Sequence, residues 1–182
     1  MTEPAPGHLL LVGMMGSGKT TTGRELAARL RRPYLDSDEQ VVARSGRTVA
    51  EIFADQGEPA FRAEEKAALA GALSSPRPAV VSVAGGAVLD PDNRAALRRS
   101  GTVVWLRAGM NTLTQRVGSG AGRPLLGDDP RAALARLDAA RRPLYKELAD
   151  VVVDVDELSP TQVVDRIVAA IGAGQAVEAT PR

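Results

Sequence analysis

The sequence predicts an α/β fold, a doubly wound parallel sheet flanked by helices. Three observations carry this. Five short apolar runs of strand length alternate with helical patterns along the chain. The runs are β-branched and apolar on both alternating faces, as suits strands covered from both sides. Strand and helix in alternation require crossover connections, which are right-handed and give a parallel sheet.

The elements follow in order. Residues 1–7 are polar with two prolines and read as a disordered lead-in, with His8 beside it. Residues 9–12 (LLLV) form the first strand, and 19–31 the first helix. A short strand at 33–35 precedes helices at 39–44, 49–56 and 59–73, the last opened by Pro59. The run AVVSV at 79–83 is a strand, and 92–100 a helix whose start lies at Asp92 and Asn93 after Pro91. Residues 103–106 (VVWL) are the fourth strand, 110–117 a helix. The segment GSGAGRPLLGDDP (118–130), with four glycines and two prolines, breaks the rhythm and reads as a mobile lid hinged at Gly118, Gly120 and Gly122. A helix at 130–148, a strand at 151–155 and a helix at 160–171, starting at Ser159, complete the pattern; 173–182 read as a frayed tail. No linker divides the chain, so one domain spanning residues 1–182 is expected.

Composition narrows the chemistry. There is no Cys, which excludes disulfides and thiol nucleophiles, and a single His argues against a Ser-His-Asp triad or a multi-histidine metal site. A net charge of +1 and 3% aromatic residues give no nucleic-acid surface. No apolar run reaches membrane-spanning length and no secretory signal opens the chain, so a cytoplasmic protein is expected. Only three of the 23 basic residues are Lys, so a lysine in a motif is more informative here than an arginine.

That lysine is in Gly13-Met14-Met15-Gly16-Ser17-Gly18-Lys19-Thr20, which fits G-x-x-x-x-G-K-[ST] between the first strand and the first helix. The glycines let backbone N–H groups curl around phosphates, and the helix N-terminus adds a positive dipole end. Lys19 can reach the β- and γ-phosphates, and the Thr20 hydroxyl can ligate Mg²⁺. No N-K-x-D guanine motif is present, and the size suits a small-molecule kinase. Asp36-Ser37-Asp38 follows the second strand; if extended, its two carboxylates face one cleft, and the other reading is a helix cap.

With these segments the chain resembles the shikimate kinase family over about residues 9–170. The resemblance rests on GMMGSGKTTTG, the DSD, GRTVAEIFADQGEPAFRAEE at 46–65, VAGGAV at 83–88, RPLL at 123–126 and RRPLY at 141–145. It implies a five-stranded sheet in the order 2-3-1-4-5 and ATP-dependent phosphorylation of the shikimate 3-hydroxyl, on the way to chorismate and the aromatic amino acids. By the same resemblance Asp38 faces the reacting hydroxyl as base, and Asp36 holds Mg²⁺ through water together with Thr20. Gly16, Ser17, Gly18, Lys19, Thr20 and Thr21 bind the ATP phosphates. Arg62, oriented by Glu65, and Arg141 grip the substrate carboxylate, Gly85 and Gly86 meet its ring hydroxyls, Arg123 reaches ATP from the lid, and Arg116 with Pro160 sandwiches adenine.

Other readings stand beside these. Each arginine can be solvated surface charge, Gly85-Gly86 an ordinary turn, Phe53, Phe61 and Trp105 core, Tyr145 a helix anchor. A kinase for another polyol acid such as gluconate, or a catalytically dead nucleotide-binding regulator, are the rival functions. Ala84 stands where the family usually has glycine, and the loop before Pro160 is acidic where some relatives are basic. ATP, Mg²⁺ and shikimate are the expected partners, with no nucleic acid or membrane, and a monomer is expected.

Overall fold

The structure, a computed structural model, describes residues 7–120 and 123–178. Strands β1 (His8–Val12), β2 (Tyr34–Asp36), β3 (Val80–Ser82), β4 (Gly101–Arg107) and β5 (Val151–Asp154) form one sheet in the order β2-β3-β1-β4-β5, and every pairing is parallel. The class and order are those expected. Side chains of the central strands are dry: Leu9, Leu10 and Leu11 of β1, Val80 and Val81 of β3 and Leu106 of β4 are all 0% exposed. Each such burial stabilises by roughly 1.5–3 kcal/mol against leaving the side chain in water.

Helix α1 (Lys19–Leu30) packs on β1, β2 and β3 and against α7 (Pro160–Glu178); α4 (Pro91–Ser100) and α6 (Pro130–Leu148) lie on β4. The local chemistry explains the boundaries, and several differ from the sequence reading. α1 stops at Leu30 because Arg31 turns left-handed, with φ of 54°, and its N–H closes the last turn on Ala27 and Ala28. α2 (Ser37–Ser45) begins under the Asp36 side chain, which accepts from the backbone of Asp38 and Glu39. α3 (Val49–Leu73) opens on a Thr48/Glu51 capping box and is interrupted at Gly57 (φ 79°, ψ 177°), so the two helices expected around Pro59 are real but abut end to end. α4 starts one step earlier than expected: Asp90 caps it with Pro91 in the first turn, and Asn93 instead turns inward to bond Ala87 O at 3.0 Å. α5 (Met110–Val117) is as expected. α7 runs on to Glu178, so residues 173–178 are helical rather than a tail, and 179–182 lie outside the described residues.

Two further expectations are corrected. Of the lid, Leu126 is 2% exposed and packs on Gly120, so it belongs to the core; only Pro124 and Leu125 of the 3₁₀ turn Pro124–Leu126 reach the cleft. The Gly122 hinge lies outside the described residues. His8 is not in a tail. It is the first residue of β1, 6% exposed, its Nδ1 accepting the Ala79 N–H at 3.1 Å and its Nε2 lying 3.2 Å from Leu73 O. The imidazole thus closes the α3–β3 connection. His8→Ala strips partners from two main-chain groups and should cost about 1–3 kcal/mol, read as a lower urea midpoint at constant slope. A midpoint equal to wild type would show that water replaces both bonds without penalty.

Among the described residues, no helix is long and apolar enough to cross a membrane. The segments that follow β1, β2 and β3 all emerge at the carboxyl edge of the sheet, where open α/β sheets place their ligands.

Candidate active site

The loop after β1 turns on glycines that no other residue could replace without strain. Gly16 and Gly18 have φ of 84° and 93°, and a Cβ at Gly13 would meet Leu106 O at 2.6 Å. Lys19 folds back so that Nζ donates to Gly13 O at 2.8 Å and Met14 O at 3.0 Å, holding the loop in a ring. Among the described residues, Ser17 Oγ is buried without a hydrogen-bond partner.

The DSD segment satisfies both of its readings, though by a different geometry. Asp36 ends β2 and caps α2, while Asp38 is already helical, so the extended-chain argument for their common direction fails. Both nevertheless line the same cleft. Asp36 Oδ2 accepts Thr20 Oγ1 at 3.3 Å and Tyr34 Oη at 2.9 Å, and the middle residue, Ser37, accepts the Ala84 N–H at 2.8 Å through its hydroxyl. That bond ties the start of α2 to the strand end of β3, and Ala84 has no left-handed backbone, so alanine serves there without strain.

From α3, Arg62 reaches Glu65 through Nη1 (2.9 Å to Oε2) and Glu58 through Nε and Nη2 (2.9 Å from Nη2). Its guanidinium lies so close over Gly86 that a Cβ there would overlap Nη1, so any side chain at 86 would displace Arg62 from this position; the backbone itself does not require glycine, since its φ is −88°. From α6, Arg141 is 1% exposed and its buried Nε has no partner among the described residues. Tyr145, one turn further along, donates to Gly85 O at 2.7 Å, so it does more than anchor its helix: it fixes the glycine backbone at the cleft. Trp105 is core, 4% exposed, with its ring centroid 5.9 Å from that of Tyr145.

These side chains bound a cavity of about 490 Å³. Gly16, Gly18, Lys19, Thr20, Thr21, Asp36, Asp38, Arg62, Gly85, Gly86, Arg116, Arg123 and Arg141 all line it, with Glu65, Phe53 and Phe61. Phe61 is also core at 5% exposed, as expected. Ser17 and Pro160 line a neighbouring cavity of about 240 Å³, which shares Gly18, Thr21 and Arg116 with the first and adds apolar Val155, Leu158 and Val163. Arg116 Nη1 donates to Gly16 O at 3.3 Å, and Asp156 of the acidic loop takes the Gly109 N–H at 2.9 Å, joining that loop to the start of α5. Sequence reasoning missed Tyr34, Ser37, Glu58 and Ser82, the last of which lines the larger cavity from the end of β3. Only Glu58 left a trace, four residues before Arg62 on a helix face.

Charge in the cleft is tightly coupled. Burial lowers the Lys19 ammonium to about 8 against the pull of Asp38 and Asp36. The cleft walls desolvate Asp38 and, with the Asp36 carboxylate beside it, raise its carboxyl above the ordinary range; Lys19, Arg62 and Arg123 pull it back down. Burial likewise raises Glu65, opposed by Arg62. Tyr34 is pushed up to about 12 by burial and Asp36, so it is a hydrogen-bond donor at neutral pH.

A phosphate loop, a pair of carboxylates and several arginines line one cleft, and on this sheet order that combination defines a P-loop kinase of small molecules. The family model for shikimate kinase matches residues 15–172. The shikimate kinase of Symbiobacterium thermophilum is 49% identical over 163 residues, 88% of this chain and 93% of that one. The chain belongs to the shikimate kinase family. The solved shikimate kinase from Acinetobacter baumannii, in complex with shikimate, superposes with a TM-score of 0.89 at 34% identity, covering 92% of this chain and 94% of that one. A gluconokinase from Sinorhizobium meliloti 1021 shares the fold alone, with a TM-score of 0.70 at 20% identity over 97% of this chain and 99% of that one.

Proposed function

We propose that this kinase transfers the γ-phosphoryl group of ATP to the 3-hydroxyl of shikimate, a step towards chorismate. The observation that carries the reading is Arg141. A guanidinium 1% exposed, whose Nε has no partner among the described residues, lines the same cavity as Lys19, Asp38 and Arg62. A buried donor of that kind calls for an acceptor, and a planar carboxylate matches a guanidinium fork. Arg141 and Arg62 hold the substrate carboxylate, Glu65 keeps Arg62 aimed, and the backbone at Gly85 and Gly86 meets the ring hydroxyls. Asp38 accepts the hydrogen bond of the reacting hydroxyl.

On the nucleotide side, Gly16, Ser17, Gly18, Lys19, Thr20 and Thr21 surround the phosphates, Arg123 reaches them from the 118–130 lid, and Arg116 and Pro160 enclose adenine across the smaller cavity. Thr20 and Asp36 offer a hydroxyl and a carboxylate, a hard oxygen pair that fits Mg²⁺, which keeps several waters and takes its other ligands from phosphates. Bound there, Mg²⁺ neutralises charge on the β- and γ-oxygens. The chain's own part is positioning: the transition state is loose, so Lys19 and Arg123 offset developing charge while Asp38 holds the acceptor in line. A single-domain, cytoplasmic monomer that binds neither membrane nor nucleic acid completes the reading.

A coupled assay with shikimate, with gluconate and with no acceptor tests it. ADP should form with shikimate alone. Turnover on gluconate, or nucleotide binding without turnover on either, would overturn it in favour of a sugar-acid kinase or an inactive regulator.

Lys19 gives a second check. ADP at about 100 times its Kd should add about 2.7 kcal/mol of stability, most of it absent in Lys19→Ala. The sign of the pH effect follows from the lowered ammonium. Phosphate binds the charged form, so wild-type affinity for ADP falls as pH rises through about 8 and the Lys19→Ala affinity does not. Thermal shift across that range reads both; parallel curves for the two proteins would remove Lys19 from the phosphates.

A further inference from the structure

Tyr34 and Asp36 are two residues apart on β2, so their side chains share a face of the strand. The Tyr34 ring is wedged on α1. A Cβ at Gly23 would lie 2.6 Å from Tyr34 Cε2, so glycine alone leaves room for it, and Arg24 covers the ring with its guanidinium carbon 5.6 Å from the centroid. A ring gripped on two sides aims its hydroxyl in a fixed direction, and that hydroxyl donates to Asp36 Oδ2 at 2.9 Å.

The carboxylate is consequently pinned from three elements. Oδ1 takes the N–H groups of Asp38 at 3.0 Å and Glu39 at 3.5 Å from α2, while Oδ2 takes Tyr34 from β2 and Thr20 from α1 at 3.3 Å. A carboxylate offers about four acceptor directions, and these four donors use them. If the Thr20 oxygen turns towards Mg²⁺, the direction it vacates is on Oδ2, and Tyr34 keeps the other one.

We propose that Tyr34 is a positioning residue that locks the Asp36 carboxylate so that one Oδ2 lone pair faces the metal's water. This rests on the assignment of Thr20 and Asp36 to Mg²⁺. Partners of this outer kind fix ligand orientation and typically govern metal affinity by 10- to 100-fold. The α2 cap holds Oδ1 alone, one of its two bonds being 3.5 Å long, so once Thr20 turns to the metal the phenol is what fixes Oδ2.

The test is ADP binding by isothermal titration calorimetry for wild type, Tyr34→Phe and Asp36→Asn, in EDTA and across a Mg²⁺ series. Phenylalanine keeps the ring in its slot. The expected result is unchanged ADP affinity in EDTA for Tyr34→Phe, with the Mg²⁺ concentration for half-maximal enhancement raised about tenfold, the low end for an outer partner. If Asp36→Asn is shifted and Tyr34→Phe is not, the role of Tyr34 is wrong and the metal assignment stands. If Asp36→Asn matches wild type, the metal assignment falls and the inference falls with it. Equal loss of ADP affinity for Tyr34→Phe with and without Mg²⁺ would make Tyr34 a packing residue and overturn the proposal.

Discussion

Asp38→Asn is expected to lower turnover by about 10²-fold or more, since positioned general bases contribute about 10²- to 10⁴-fold and a loose transition state favours the low end. The substitution keeps size and most hydrogen bonding but removes the negative charge and the proton acceptor. ADP binding stays near wild type at pH well below 8, where the Lys19 ammonium remains charged even without the pull of Asp38, since the loop glycines and Thr20 are untouched. The raised carboxyl sharpens the expectation. Desolvation and Asp36 push Asp38 upward, while Lys19, Arg62 and Arg123 pull it down, so the cleft's cations keep a proton-accepting carboxylate available. Rate loss as pH falls towards the carboxyl's raised pKa should appear in wild type and vanish in Asp38→Asn. Near-normal turnover in a folded Asp38→Asn protein would leave DSD as a helix start and nothing more.

The second large effect is at Arg141. Arg141→Met keeps much of the buried stem and removes the fork. Two hydrogen bonds to a charged group, at about 1.5–3 kcal/mol each, correspond to a loss in kcat/KM for shikimate of about 10²-fold or more. KM for ATP should move little, because on the proposed reading Arg141, which enters the cleft from α6, faces the acceptor rather than ATP. Circular dichroism separates this from unfolding, since a buried charge is being removed. Steady-state kinetics with shikimate KM unchanged in a folded variant would move the carboxylate site elsewhere.

The parts legible in the sequence were those set by backbone constraint. Gly13, Gly16 and Gly18 declare a phosphate loop because other residues cannot follow that path, and the β-branched runs of β3 and β4 declare buried parallel strands, but the same signal in β5 misleads, because an edge strand leaves Val152 44% exposed. The strand order came from the family resemblance, not from periodicity. What was not legible depends on contacts between segments distant in sequence. His8 looks like tail until β3 brings Ala79 against its ring. Arg31 in a left-handed turn, the burial of Leu126 on Gly120 and the continuation of α7 past 171 are tertiary choices with no local signal. Asp38 was placed in the right cleft by the wrong geometry, because a cap at Asp36 starts a helix at once and turns the next carboxylate by helical rather than extended periodicity. Tyr34 was invisible because a tyrosine at the start of a strand reads as packing until the partner of its hydroxyl is seen.

Phosphorus NMR of the product formed from ATP and shikimate tests the central claim most directly, because it reads acceptor and position together. The expected spectrum shows one new phosphomonoester coupled to the proton on carbon 3 of shikimate, growing as ATP is consumed. A spectrum with inorganic phosphate alone, or with phosphorus coupled to a different ring proton, would contradict the placement of the 3-hydroxyl against Asp38.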